Sequence, residues 1–239
     1  MKNEESSPDR GATRSRAVAT TVLMVATFMD LMDSTITNVA LPTIGKDLHA
    51  TPEQLEWTLA GYVIAFATLL LTGGRLGDIF GHRRIFVIGI VGFTLASLGA
   101  ALSQTGDLLV TARVLQGGFA GIMVPQVLSS VQVMFAPEER APVLGIIGAL
   151  SSLGAIGGLI LGGWLVTADL LGMGWRSIFL VNVPVGVVLV AAALLFVPRS
   201  RSEHPLKPDL VGVLLGGLGV FLVVFPLTDG RAAGWAWWI

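Results

Sequence analysis

Two aspartates, Asp30 and Asp33, stand three residues apart inside a long apolar stretch. A carboxylate at the centre of a membrane helix costs about 2.5–3.5 kcal/mol on insertion scales, so both must face protein or water. On a helix they share a face, where desolvation and mutual repulsion both favour a proton on one of them. That suits a proton-coupling site. The plainer alternative is that one or both hydrogen-bond a neighbouring helix or line a wet vestibule; Thr37, one turn beyond Asp33, is a candidate hydroxyl neighbour. Arg113, with Gln116 a turn away, is the other charge well inside an apolar segment. Its partner should be a carboxylate or helix carbonyls, unless its long side chain snorkels to the interface.

A second constellation runs from Gly74 to Arg84 and holds Arg75, Asp78, Gly81, His82 and Arg83. The glycines allow a tight reversal, and the arginines hold a loop on one side of a membrane. Read as an anchor, it fixes topology only. Read as a latch, Asp78 pairs with an arginine or a helix amino terminus in one conformation and releases in another. Further on, Gly154, Gly158 and Gly162 recur every four residues, with Gly157 and Gly163 beside them. Such a face lets another helix approach closely, and packing alone accounts for it; a flexing interface is the functional extension.

The elements that must position these residues are membrane helices. Of the 239 residues 53% are hydrophobic and 13% charged, with a mean hydropathy of +0.77, which is membrane composition. A spanning helix needs about 20 apolar residues. Stretches at roughly 17–40, 57–77, 85–104, 108–134, 141–166, 178–197 and 210–228 meet that length. Pro42, Pro52, Gly81, Pro137, Gly172, Gly174, Pro198, Pro205 and Pro208 punctuate the seams. The expected fold is therefore all-α: a tail at 1–16, a six-helix bundle at 17–197, a linker at 198–208, and a seventh helix at 209–239 followed by the start of an eighth at Trp235–Ile239. The first span is too long for a signal peptide and reads as retained. The abrupt end suggests a fragment.

With a cytoplasmic amino terminus, the inner side holds Lys2, Arg10, Arg14, Arg16, Arg75, Arg83, Arg84, Arg140, Arg199, Arg201 and Lys207, and the outer side Lys46, Arg176 and Arg231. That is a positive-inside bias. Trp57, Trp164, Trp175, Trp235, Trp237 and Trp238 all fall near outer boundaries, as interface-seeking indoles should.

Several function classes drop out. A formal charge of -1 without a basic stripe argues against nucleic acid. Absent cysteine removes disulfides and thiolate chemistry, and His49, His82 and His204 fall in expected loops without metal-ligand spacing. The hydrolase, metalloprotease and nucleotide motifs that would mark an enzyme are missing, so no cofactor is expected beyond an ion gradient.

Together these motifs resemble the major facilitator superfamily, most closely its 14-span drug:proton antiporter branch. Asp33 to Pro42 looks like that branch's first-span signature, Gly74 to Arg84 like the superfamily loop between spans two and three, Ala112 to Gly117 like the fourth-span motif, and Gly174 to Gly186 like the opening of the sixth span. One departure stands out: the antiporter motif usually has a proline after its first glycine, whereas Leu159 follows Gly158 here. Proline kinks a helix, so its loss bears on any bend there and on transport direction. The resemblance implies two inverted three-helix repeats packed against a second bundle, with substrate between the bundles. This chain then supplies the first bundle and one linker helix, in the cell membrane. Its implied function is export of hydrophobic or cationic compounds in exchange for protons, with Asp33, Asp30 and Arg113 in the coupling and membrane lipid and the missing bundle as partners. Metabolite transport, and a transport-inactive fragment that serves only as an interaction partner, are the alternatives.

Overall fold

The computed structural model describes residues 10–169, 172–201 and 210–229. Within them the chain forms α1 (Arg10–Leu48), α2 (Pro52–Phe80), α3 (His82–Ala101), α4 (Gly106–Met134), α5 (Pro137–Ala168), α6 (Ser177–Leu180), α7 (Asn182–Phe196) and α8 (Leu210–Asp229). A 3₁₀ turn at Gly174–Arg176 leads into α6, so Gly174–Phe196 acts as one span. Among the described residues six helices are long and apolar enough to cross a membrane, and α8 is a further apolar helix of 20 residues.

Local chemistry explains the helix ends. Thr51 caps α2 in a reciprocal box with Gln54, and Pro52 and Pro137 occupy first-turn positions where a missing N–H costs nothing. Gly81, at φ 96°, makes the reversal between α2 and α3 that a residue with a Cβ would resist.

Four expectations about the elements need correction. Helix α1 begins at Arg10, inside the expected tail, and runs through Pro42 to Leu48. Its 39 residues, at about 1.5 Å each, reach about 58 Å, well beyond a hydrocarbon core of about 30 Å. His82 is not in a loop but opens α3, 6% exposed. Trp175 is no interface anchor: it is 1% exposed, and its indole N–H donates to Asp47 at 2.8 Å. Trp164 is exposed as expected, while Trp235, Trp237 and Trp238, His204, most of the 198–208 linker and the start of an eighth helix lie outside the described residues.

In the bundle α1 packs on α5 and α7, α2 on α4 and α8, and α3 on α4 and α7. The glycines of α5 account for the first contact. A Cβ at Gly154 would lie 3.0 Å from the Phe28 carbonyl, at Gly158 2.7 Å from the Met32 carbonyl, and at Gly162 2.8 Å from Ile36 Cγ1. Gly163 departs from the expectation, since a Cβ there would meet nothing within 4 Å. Consecutive helix residues differ by about 100° in direction, so only the fourfold series faces α1. Gly163→Ala should therefore be neutral or stabilising by up to about 1 kcal/mol in thermal melts, because alanine is the better helix former. Gly158→Ala should lower the melting temperature.

The apolar core divides into two layers. One holds Leu23, Ala26 and Met29 with Phe86, Ile90, Phe93, Ala120, Met123 and Leu189; the other holds Ile36, Ala40 and Ile44 with Ala100, Leu109, Ala112, Trp175 and Phe179. Between the layers α1, α3, α4 and the sixth span carry buried polar residues: Asp30 and Asp33, Thr94 and Ser97, Arg113 and Gln116, and Asn182.

Candidate coupling site

All of these interlayer residues but Thr94, whose hydroxyl donates to the Ile90 carbonyl of its own helix, form one network. Asp33, 0% exposed, accepts from Arg113 Nη1 at 2.6 Å through Oδ2, and from Gln116 Nε2 at 2.9 Å and Asn182 Nδ2 at 2.6 Å through Oδ1. Three donors on two oxygens is a set that an ionised carboxylate can accept in full. Arg113, 1% exposed, also donates to the Gln116 side-chain oxygen at 2.5 Å and, through Nε, to the Thr58 carbonyl at 3.3 Å. Snorkelling is thus excluded; both expected kinds of partner, a carboxylate and a helix carbonyl, are present. Ser97 accepts from Gln116 at 2.7 Å and from Asn182 at 3.3 Å. Thr37 turns from the Asp33 carboxylate and donates instead to its backbone carbonyl at 2.8 Å.

Asp30 joins through Tyr62, the chain's one tyrosine. Its phenol donates to Asp30, and its ring face lies 4.3 Å from the Arg113 guanidinium, so a single side chain touches the neighbourhoods of both acids. Gly117 makes this possible, since a Cβ there would sit 2.2 Å from the Tyr62 carbonyl oxygen. Tyr62, Ser97 and Asn182 were not singled out from sequence. Polar groups inside apolar spans were the signal available, and it was weakest for these neutral residues.

The 74–84 constellation lies at the end of the bundle where α1 begins, away from this network. Asp78 Oδ1 is 3.4 Å from His82 Nε2, at the amino terminus of α3. The other ring nitrogen of His82 pairs with Gln126 Oε1 at 2.9 Å, and Gln126 Nε2 donates to the Gly73 carbonyl at 2.6 Å. Gly77 leaves room for the pair, because a Cβ would lie 2.0 Å from Gln126 Oε1. Arg83 donates to the carbonyls of Leu194 and Val197 at the end of α7, Arg84 is exposed, and Arg75 is half-buried on α2. A Cβ at Gly74 would meet only Pro125, at 3.9 Å.

Residues 23–239 match the Major Facilitator Superfamily. The chain belongs to this family of membrane transporters. It is 44% identical over 93% of its length to a probable actinorhodin transporter of Streptomyces coelicolor, and 38% identical over 92% to a tetracenomycin C resistance and export protein of Streptomyces glaucescens. In each case the chain spans 39% of the relative's length. The xylose transporter XylE of E. coli, in a partially occluded inward-open conformation, superposes with a TM-score of 0.69 over 91% of this chain and 60% of its own, at 14% identity, and so shares the fold. This major facilitator chain is a membrane protein whose buried polar layer is held by five of its spans.

Proposed function

We propose that the chain forms the first bundle of an exporter of drugs or other hydrophobic or cationic compounds, driven by protons without another cofactor and working by alternating access against a second helical bundle. The observation that carries this reading is Asp33, buried and held by donors from α4 and the sixth span. A proton on Asp33 turns an acceptor into a donor facing donors, so the tie between α1, α4 and Asn182 loosens. Protonation and compound binding then exclude one another, which is the linkage an antiporter needs. Asp30, hydrogen-bonded by Tyr62 alone among the described residues, is the second acid of the cycle, and Arg113 tunes both. The 74–84 segment serves as the latch.

The Lys and Arg bias supports a cytoplasmic amino terminus in the cell membrane. Export is favoured over metabolite uptake by the printed names of the relatives, which include antibiotic resistance and export proteins. The test is made in liposomes holding a full-length relative in which the aspartate matching Asp33 is replaced, as in Asp33→Asn. Substrate-driven proton movement should be lost, and substrate binding should no longer depend on pH. Unchanged proton stoichiometry and pH dependence would refute the assignment.

A further inference from the structure

At the end of the bundle where α2 stops and α3 starts, an open cavity of about 400 Å³ is lined by Phe80, Arg83, Arg84, Arg199, Ser200 and Arg201. Four arginines thus line one concavity. Arg83 is fixed at its rim by the bonds to Leu194 and Val197. Among the described residues, Arg84, Arg199 and Arg201 have no ion-pair or hydrogen-bond partner. The Ser200 carbonyl accepts the His82 N–H at 3.0 Å, which folds residues 198–201 across the start of α3. Its hydroxyl oxygen is buried and unpartnered among the described residues. Helix α3 begins there without a side-chain cap, so the positive end of its dipole adds to the field. The nearby carboxylate, Asp78, faces His82.

A tetrahedral oxyanion is what such a set of donors fits: guanidinium forks bind phosphate oxygens in pairs, and a hydroxyl supplies one further donor. The cavity's surroundings select the source. Phe80 is 52% exposed and Leu195 75%, so apolar surface suited to acyl chains adjoins the arginines. We propose that this cavity binds the phosphate of an anionic phospholipid; it shares Arg83 and Arg84 with the 74–84 latch, but the binding does not rest on the transport reading.

The test is native mass spectrometry of the chain, purified in a zwitterionic detergent and titrated with phosphatidylglycerol, phosphatidylcholine or inorganic phosphate. Phosphatidylglycerol should be retained at least about tenfold better than phosphatidylcholine, and an equal concentration of inorganic phosphate should not displace it. At about fivefold per arginine, Arg199→Gln with Arg201→Gln should weaken retention about 30-fold, whereas Lys46→Gln, at the other end of the bundle, should not. Arg84→Gln provides a second exposed variant, expected to lose about fivefold. Equal retention of the two lipids, undiminished binding by the arginine variants, or an equal loss in Lys46→Gln would overturn the proposal. So would displacement by inorganic phosphate, which would make the cavity a site for free anions.

Discussion

Arg113→Met should destabilise the chain by about 3–5 kcal/mol, the cost of leaving a buried carboxylate without its counter-charge. The size of the effect follows from burial: Asp33 and Arg113 are 0% and 1% exposed, so water cannot take over from the lost guanidinium. Three further losses accompany it: the bond to the Gln116 side-chain oxygen, the contact with the Thr58 carbonyl and the stacking on Tyr62. Unfolding in mixed micelles with a rising fraction of denaturing detergent measures the change. Adding Asp33→Asn to Arg113→Met should restore a large part of the stability, because the second change removes the stranded charge. If the two losses simply add, the ion pair is not what holds α1 to α4.

Gly117→Val should be of comparable weight. Its Cβ would fall 2.2 Å from the Tyr62 carbonyl oxygen and 2.8 Å from Tyr62 Cα, which are backbone atoms that cannot rotate aside. Overpacking of this kind costs about 1–3 kcal/mol, and more where neighbouring backbone must move. Here α2 and α4 have to separate, carrying Tyr62 away from Arg113 and Asp30. A lower midpoint in the same micelle titration, with altered tyrosine fluorescence, is the expected result. An unshifted midpoint would show that the two helices yield without cost.

The buried charges are legible because charge inside lipid is expensive: Asp30, Asp33 and Arg113 stand out, and Arg113 meets the carboxylate it requires. Their neutral partners were not legible. Ser97 and Asn182 could have pointed to any neighbour; the packing of the sixth span against α1 brings Asn182 to Asp33, and that of α3 against α4 brings Ser97 to Gln116. The fourfold glycine series predicted a close helix approach, yet the sequence could not say that Gly163 faces away from it. Helix limits were least legible where strong breakers are overruled. Pro42 lies inside α1, and His82, between a glycine and two arginines, looked like loop but is sealed against Asp78 and Gln126.

Helix α1 is fastened at three heights. Arg16 pairs with Glu139 near one end, Asp33 is held midway, and Asp47 takes Arg176 at 2.5 Å and the Trp175 indole at the other. A rod pinned at three points can neither slide along its axis nor roll about it without tearing a fastening. Mechanically α1 is a keel: its three fastenings tie it to α5, α4 and the sixth span in turn.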